Sequence, residues 1–112
     1  MKLIAVVTTV ATREQAQALA AALVEAHLAA CAQISAIDSV YRWEGALQRE
    51  PEFRVLFKTT AARYAAVEAA IRERHAYALP QICAFALDPV YGPYADWVEA
   101  QCGDTPPRLL GC

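Results

Sequence analysis

The segment "IRERHAYALPQICAFAL", residues 71–87, sets an imidazole, His75, between a charged helical run and an apolar stretch of strand length. Imidazole is the commonest protein metal ligand, and its cation suits the C-terminal end of a helix. His75 therefore has two readings: a cation-binding group, or a helix-terminal residue bonded to a last-turn carbonyl. Other side chains with chemical capacity lie near it in the pattern. Tyr77 follows two residues on, Lys58 sits in the alternating stretch "FRVLFK", and "YRWEG" at 41–45 carries Tyr41, Trp43 and Glu44. Large amphipathic rings bury much area and find polar partners at interfaces. Trp43, Tyr41 and Phe53 are therefore assigned to packing between subunits, with Arg42 and Glu44 suited to pairing across them. Lys58 and His75 of one subunit, facing Tyr41 or Glu44 of the next, would form an anion-capable binding cleft, with Tyr77 in its wall. Tyr94 and Trp97 read as core or cleft wall.

Other chemistries lack their residues. There is no G-x-S-x-G, no H-E-x-x-H and no paired acid and base, so the chain is not read as an enzyme. Arg13 and Glu14 open a helix without the glycines of a phosphate loop. Cys31, Cys83, Cys102 and Cys112 form no C-x-x-C pair, which removes zinc-ribbon and thioredoxin readings. Cys31 and Cys83, in apolar strands, are expected to be buried small hydrophobes; Cys102 and Cys112 are expected to be exposed and oxidisable. With 57% hydrophobic and 20% charged residues and a net charge of -2, the composition is core-forming. No basic stripe suggests nucleic acid, no run of ~20 apolar residues suggests a membrane span, and the N-terminus reads as a strand rather than a signal peptide. A cytoplasmic protein is expected.

The elements that must position these side chains follow from periodicity. "KLIAVVTT" at 2–9 is a first strand. "TREQ" at 12–15 has the capping-box form, and a helix with Ala16, Leu19, Ala20 and Leu23 should run to about His27, whose role is structural. A long hairpin follows, with its tip or bend between Glu44 and Pro51; Pro51 suggests a bulge or an edge. A second helix fits 61–74, with Tyr64, Val67, Ala70 and Ile71 on one face. "QICAFALDPV" is a fourth strand, and Gly92-Pro93 opens a third helix. The order is β-α-β-β-α-β plus a C-terminal helix. That is an α+β, ferredoxin-like antiparallel sheet with its helices on one face and a long central hairpin. Residues 1–102 form a single domain and 103–112 a tail, whose Leu109-Leu110 pair would lie across a sheet edge or a neighbouring subunit. An aromatic ribbon this long is marginal alone in water and calls for a partner, so a homo-oligomer is expected.

"LVEAHLAACAQI" at 23–34, "SVYRWEG" at 39–45, "FKTT" at 57–60 and "RHAYALP" at 74–80 occur in the order and spacing of the CutA divalent-cation-tolerance proteins, and up to about Cys102 the chain resembles that family. The resemblance implies a tightly packed homotrimer akin to the PII signalling proteins, a response to metal ions, and weak, reversible copper or other divalent-metal binding near His75, with no cofactor required. The alternative it implies is a trimeric scaffold that takes a small anionic ligand or a partner protein between subunits. The family motif His-Pro-Tyr-Glu/Gln-x-Pro-Glu reads here His75-Ala76-Tyr77-Ala78-Leu79-Pro80-Gln81. Ala78 and Gln81 thus stand where relatives often carry Glu, and Thr8 or Thr9 where copper-binding relatives carry Cys. Of the thiolate, imidazole and carboxylate that copper favours, only the imidazole remains locally.

Overall fold

The computed structural model describes residues 2–103. In chain order the elements are β1 (Leu3–Val10), α1 (Arg13–Glu25), β2 (Cys31–Trp43), β3 (Ala46–Thr60), a 3-10 turn (Ala61–Arg63), α2 (Tyr64–Arg74), β4 (Cys83–Leu87) and α3 (Gly92–Gln101). The strands form one antiparallel sheet in the order β2-β3-β1-β4, the ferredoxin-like α+β arrangement. β1 is paired on both sides and every one of its residues is buried, which is why its sequence reads as an unbroken apolar run. Ile4, Val6 and Val10 pack with Val55 and Phe57 of β3 against α1 (Ala16, Leu19, Leu23) and α2 (Val67, Ala70, Ile71). Burial of a Phe, Leu or Ile side chain stabilises by about 1.5–3 kcal/mol, so the fully buried Phe57, Leu23 and Ile71 anchor this layer. A smaller cluster joins Val98 and Cys102 to Leu3 and Ala30.

The helix ends have local causes. Thr12 caps α1 by accepting from the Gln15 N–H, while the Gln15 side chain accepts from the Thr12 N–H, completing the capping box. The helix stops at Glu25, two residues before the expected His27. His27 turns left-handed at φ 60; its N–H bonds the Val24 carbonyl and the Leu28 N–H bonds the Leu23 carbonyl. This is a Schellman termination with His where glycine is usual. The His27 Nδ1–H donates to the Gln101 carbonyl at 3.2 Å, tying α1 to α3.

The hairpin turns at the first end of the expected Glu44–Pro51 span. Glu44 and Gly45 alone make the turn, at φ 51 and φ 80, the two-residue form whose twist matches the strands. The ladder then runs without interruption through Pro51, opposite Asp38, so there is no bulge. Pro51 is tolerated because β1 pairs β3 only from Phe53 onward. Cysteine burial is also corrected: Cys83 is exposed on the edge strand, Cys31 is half-buried, and Cys102 is buried, with its thiol pushed up by that burial. Phe53, partly buried, packs against the subunit's own core beneath the Arg13 guanidinium. Leu109, Leu110 and Cys112 lie outside the described residues.

Candidate functional site

Beyond Phe53 the hairpin continues as a two-stranded ribbon, residues 37–43 opposite 46–52, with an overhang of roughly 20 Å at strand spacing. Directly opposed residues share a face, so Tyr41, Trp43, Glu50 and Glu52 lie on the face that also carries Lys58 and Cys31. The segment 75–82, between α2 and β4, crosses the base of this ribbon. A cleft of about 780 Å³ opens between them, lined by Thr9, Ala11, Ser39–Trp43, Glu50, Glu52, Tyr77, Ala78, Leu79 and Gln81.

Beside Arg42, Thr9, Ser39 and Gln81, the cleft carries two carboxylate–phenol pairs. The Tyr77 hydroxyl donates to Glu52 Oε2 at 2.7 Å, and the Tyr41 hydroxyl donates to Glu50 Oε1 at 2.5 Å. Burial, then the Glu52 bond, pushes the Tyr77 phenol above its ordinary range; the Glu50 bond does the same for Tyr41. Both phenols are thereby held as proton donors. Glu52 is only 7% exposed. Among the described residues neither carboxylate has an ion-pair partner, and the second oxygen of each is free of a protein hydrogen bond. The site thus presents unbonded carboxylate oxygens between aromatic walls, with Arg42 also on its lining.

His75 is not in the cleft wall. α2 ends at Arg74 and His75 turns extended (φ -85, ψ 137). Its Nε2–H donates to the Thr9 carbonyl at 2.8 Å, while Nδ1 accepts the Tyr77 N–H at 3.1 Å. A carbonyl can only accept and an amide N–H can only donate, so this geometry fixes the neutral tautomer and uses both nitrogens. The imidazole thus bonds β1 rather than a last-turn carbonyl of its own helix. β4 stops at Cys83 opposite Val7, and His75 serves the β1 edge beyond it.

The structure brings Tyr41, Trp43 and Tyr77 together, but leaves Lys58 and Glu44 out of this cleft. Lys58 lies over the Tyr94 ring, 5.4 Å from its centroid, and lines a separate groove of about 470 Å³ with Asp88, Tyr91 and Tyr94. Glu44 sits in the turn at the ribbon tip. Thr8 Oγ1 is buried with no partner among the described residues, whereas Thr9 reaches the cleft. Glu50 and Glu52 were missed by sequence reasoning. The signal was present: a turn confined to Glu44-Gly45 places Tyr41 opposite Gln48, and every second residue of β3 from there shares its face.

A ferredoxin-like sheet whose central hairpin overhangs a carboxylate–phenol cleft defines a small α+β subunit of distinct shape. The model of the family described as CutA1 divalent ion tolerance protein matches residues 4–101, and the chain belongs to that family. It is 34% identical over 101 residues to a probable divalent-cation tolerance protein cutA homolog of Encephalitozoon cuniculi, covering 90% of this chain and 89% of that one. The divalent-cation tolerance protein CutA of Thermus thermophilus is 34% identical, with 88% and 96% covered. Among solved structures, CutA of Synechococcus elongatus superposes with a TM-score of 0.88 at 40% identity, covering 91% of each chain. A CutA from Archaeoglobus fulgidus, named as periplasmic, gives 0.88 at 30% identity over 90% of this chain and 99% of that one.

Proposed function

We propose that the chain serves divalent-cation tolerance as a homotrimer, contacting the cation weakly and reversibly at Glu50 and Glu52. The observation that carries this reading is the pair of carboxylates bonded only to neutral phenols, one of them nearly buried, at the wall of an open cleft. Their donors are all oxygen, which suits hard cations such as magnesium, manganese or calcium.

Copper at His75 fits this chain poorly. The imidazole lone pair is engaged by an amide, and Thr8, Ala78 and Gln81 supply neither thiolate nor carboxylate. Among the described residues no three His, Cys, Asp or Glu side chains gather as a metal site. Two carboxylates within one subunit make an open site that solvent or a neighbouring subunit completes, hence weak binding.

Assembly is supported by the apolar surface a single chain leaves in water. Val40 is 60% exposed and Leu47 55%, with Trp43 and Phe85 also exposed. Cys31, Cys83 and Cys102 are free thiols, which suits a reducing compartment and supports a cytoplasmic location. The role is one of binding rather than catalysis.

Calorimetric titration with manganese(II) tests the site. The intact chain should bind saturably, and the isosteric Glu50→Gln/Glu52→Gln variant should lose at least about tenfold in affinity, since hydrogen-bonded or ligating charges contribute well over 1 kcal/mol each. Equal affinity in the two proteins contradicts the assignment. Inorganic phosphate titrated in parallel separates a second reading, favoured by Lys58 in its tyrosine-lined groove: saturable phosphate binding lost in Lys58→Met, without manganese binding, would make this an anion-binding scaffold.

A further inference from the structure

We infer that His75 is a positioning residue: it latches the 75–82 segment to β1 and so holds Tyr77 on Glu52, and it is not a metal ligand. The inference is independent of where a cation binds. Between Arg74 and Cys83 the chain belongs to no helix or strand, and among the described residues its backbone makes no hydrogen bond to other backbone. Its side-chain ties to the rest of the fold are few. His75 donates to the Thr9 carbonyl, Tyr77 donates to Glu52, Ile82 packs on the core, and Gln81 Nε2 makes a long 3.8 Å contact to Cys83 Sγ at the start of β4. The remaining short bond, from the Tyr77 N–H to His75 Nδ1, joins the first two ties into one unit.

Consequences run both ways along that unit. The Thr9 carbonyl fixes the ring, the ring fixes the Tyr77 amide, and the amide sets where the phenol lands, with the two rings tilted at 4.8 Å between centroids. Tyr77, Ala78, Leu79 and Gln81 of the same segment line the cleft. A metal ion coming to Nδ1 would displace the Tyr77 amide; one coming to Nε2 would displace both the proton and the Thr9 carbonyl. Either event would unfasten the wall of the cleft rather than fill a prepared site. Retention of an imidazole beside Ala78 and Gln81 follows from this structural duty, which needs no second ligand.

The test separates the two roles by rescue. Gln carries a donor and an acceptor on one carbon, spaced as the ring nitrogens are about Cε1, but has no imidazole. Hydrogen exchange should show the Tyr77 amide losing about tenfold or more of its protection in His75→Ala, the scale expected for a lost buried hydrogen bond. His75→Gln should recover most of it. Unchanged protection in the Ala variant would overturn the latch. Long-range nitrogen-15 spectra of the unaltered protein give a second readout that does not depend on any variant folding. The Nε2-protonated tautomer should persist, with neither ring nitrogen shifting as zinc is added to several equivalents. A saturable shift of either nitrogen would restore His75 as a metal ligand.

Discussion

Tyr77 reports on the site at residue scale. Its phenol is raised above its ordinary range by burial first and the Glu52 bond second, and Tyr94, half-buried and bonded to Cys31 Sγ at 3.5 Å, is pushed up to about 12. In the unfolded chain both titrate near pH 10. A folded-state value above the unfolded one means the native state keeps protons the unfolded state has lost. The associated stability is fully present below about pH 10 and falls as pH rises toward the folded values. Urea midpoints should therefore drop steadily above about pH 10, beyond the earlier decline that the raised Cys102 thiol starts at about pH 8.5. Tyr77→Phe and Tyr94→Phe should each flatten that drop; an unaltered alkaline slope in both variants would contradict the burial assigned to these phenols. At this scale the sequence revealed which residues mattered better than what they touch. His75, Tyr77 and Tyr41 stood out by type, but the bond from His75 to Thr9 spans 66 residues and no local pattern encodes it.

Elements were the most legible level. The capping box at Thr12, the strand run at 2–9, the second helix and the Gly92-Pro93 helix start all act through neighbours within a turn, so sequence exposes them. The turn was located only to a span because two signals compete: Gly45, which accepts φ 80 freely, and Pro51, whose edge reading holds because β1 ends beside Phe53. Cysteine burial failed for a related reason, since an edge position for β4 is a property of the sheet and not of the strand. The turn supplies a sharp test. Glu44 stands at φ 51, a left-handed conformation that costs an ordinary side chain about 1 kcal/mol and that Asn adopts more readily. Glu44→Asn should raise the urea midpoint, by roughly 0.5–1 kcal/mol in stability, and leave manganese affinity unchanged because Glu44 lies outside the cleft. A destabilised variant would mean that the Glu44 side chain makes a contact, across subunits for instance, that outweighs its backbone strain.

At the scale of the whole molecule, one chain leaves apolar surface in water. It measures 57 by 27 by 22 Å, and its length comes from a ribbon with no third strand among the described residues, carrying exposed Val40, Tyr41, Trp43 and Leu47. The sheet face opposite α1 and α2 is only partly covered by α3, and Phe85 on it is 51% exposed. Two-stranded ribbons are marginally stable by themselves in water, and apolar surface grouped in this way marks contact with another molecule. The proposed homotrimer would satisfy both needs at once, if ribbon packed on ribbon and a neighbour covered the exposed sheet face and completed the carboxylate pair at each ribbon's base. The assembly reading came from the sequence through ribbon length and aromatic content alone, while the shape of the cleft had to wait for the register. Sedimentation velocity of the full chain at micromolar concentration measures this most directly. A single boundary at three times the 12.2 kDa chain mass, persisting on dilution, is the predicted result; a stable monomer whose ribbon remains ordered would contradict it.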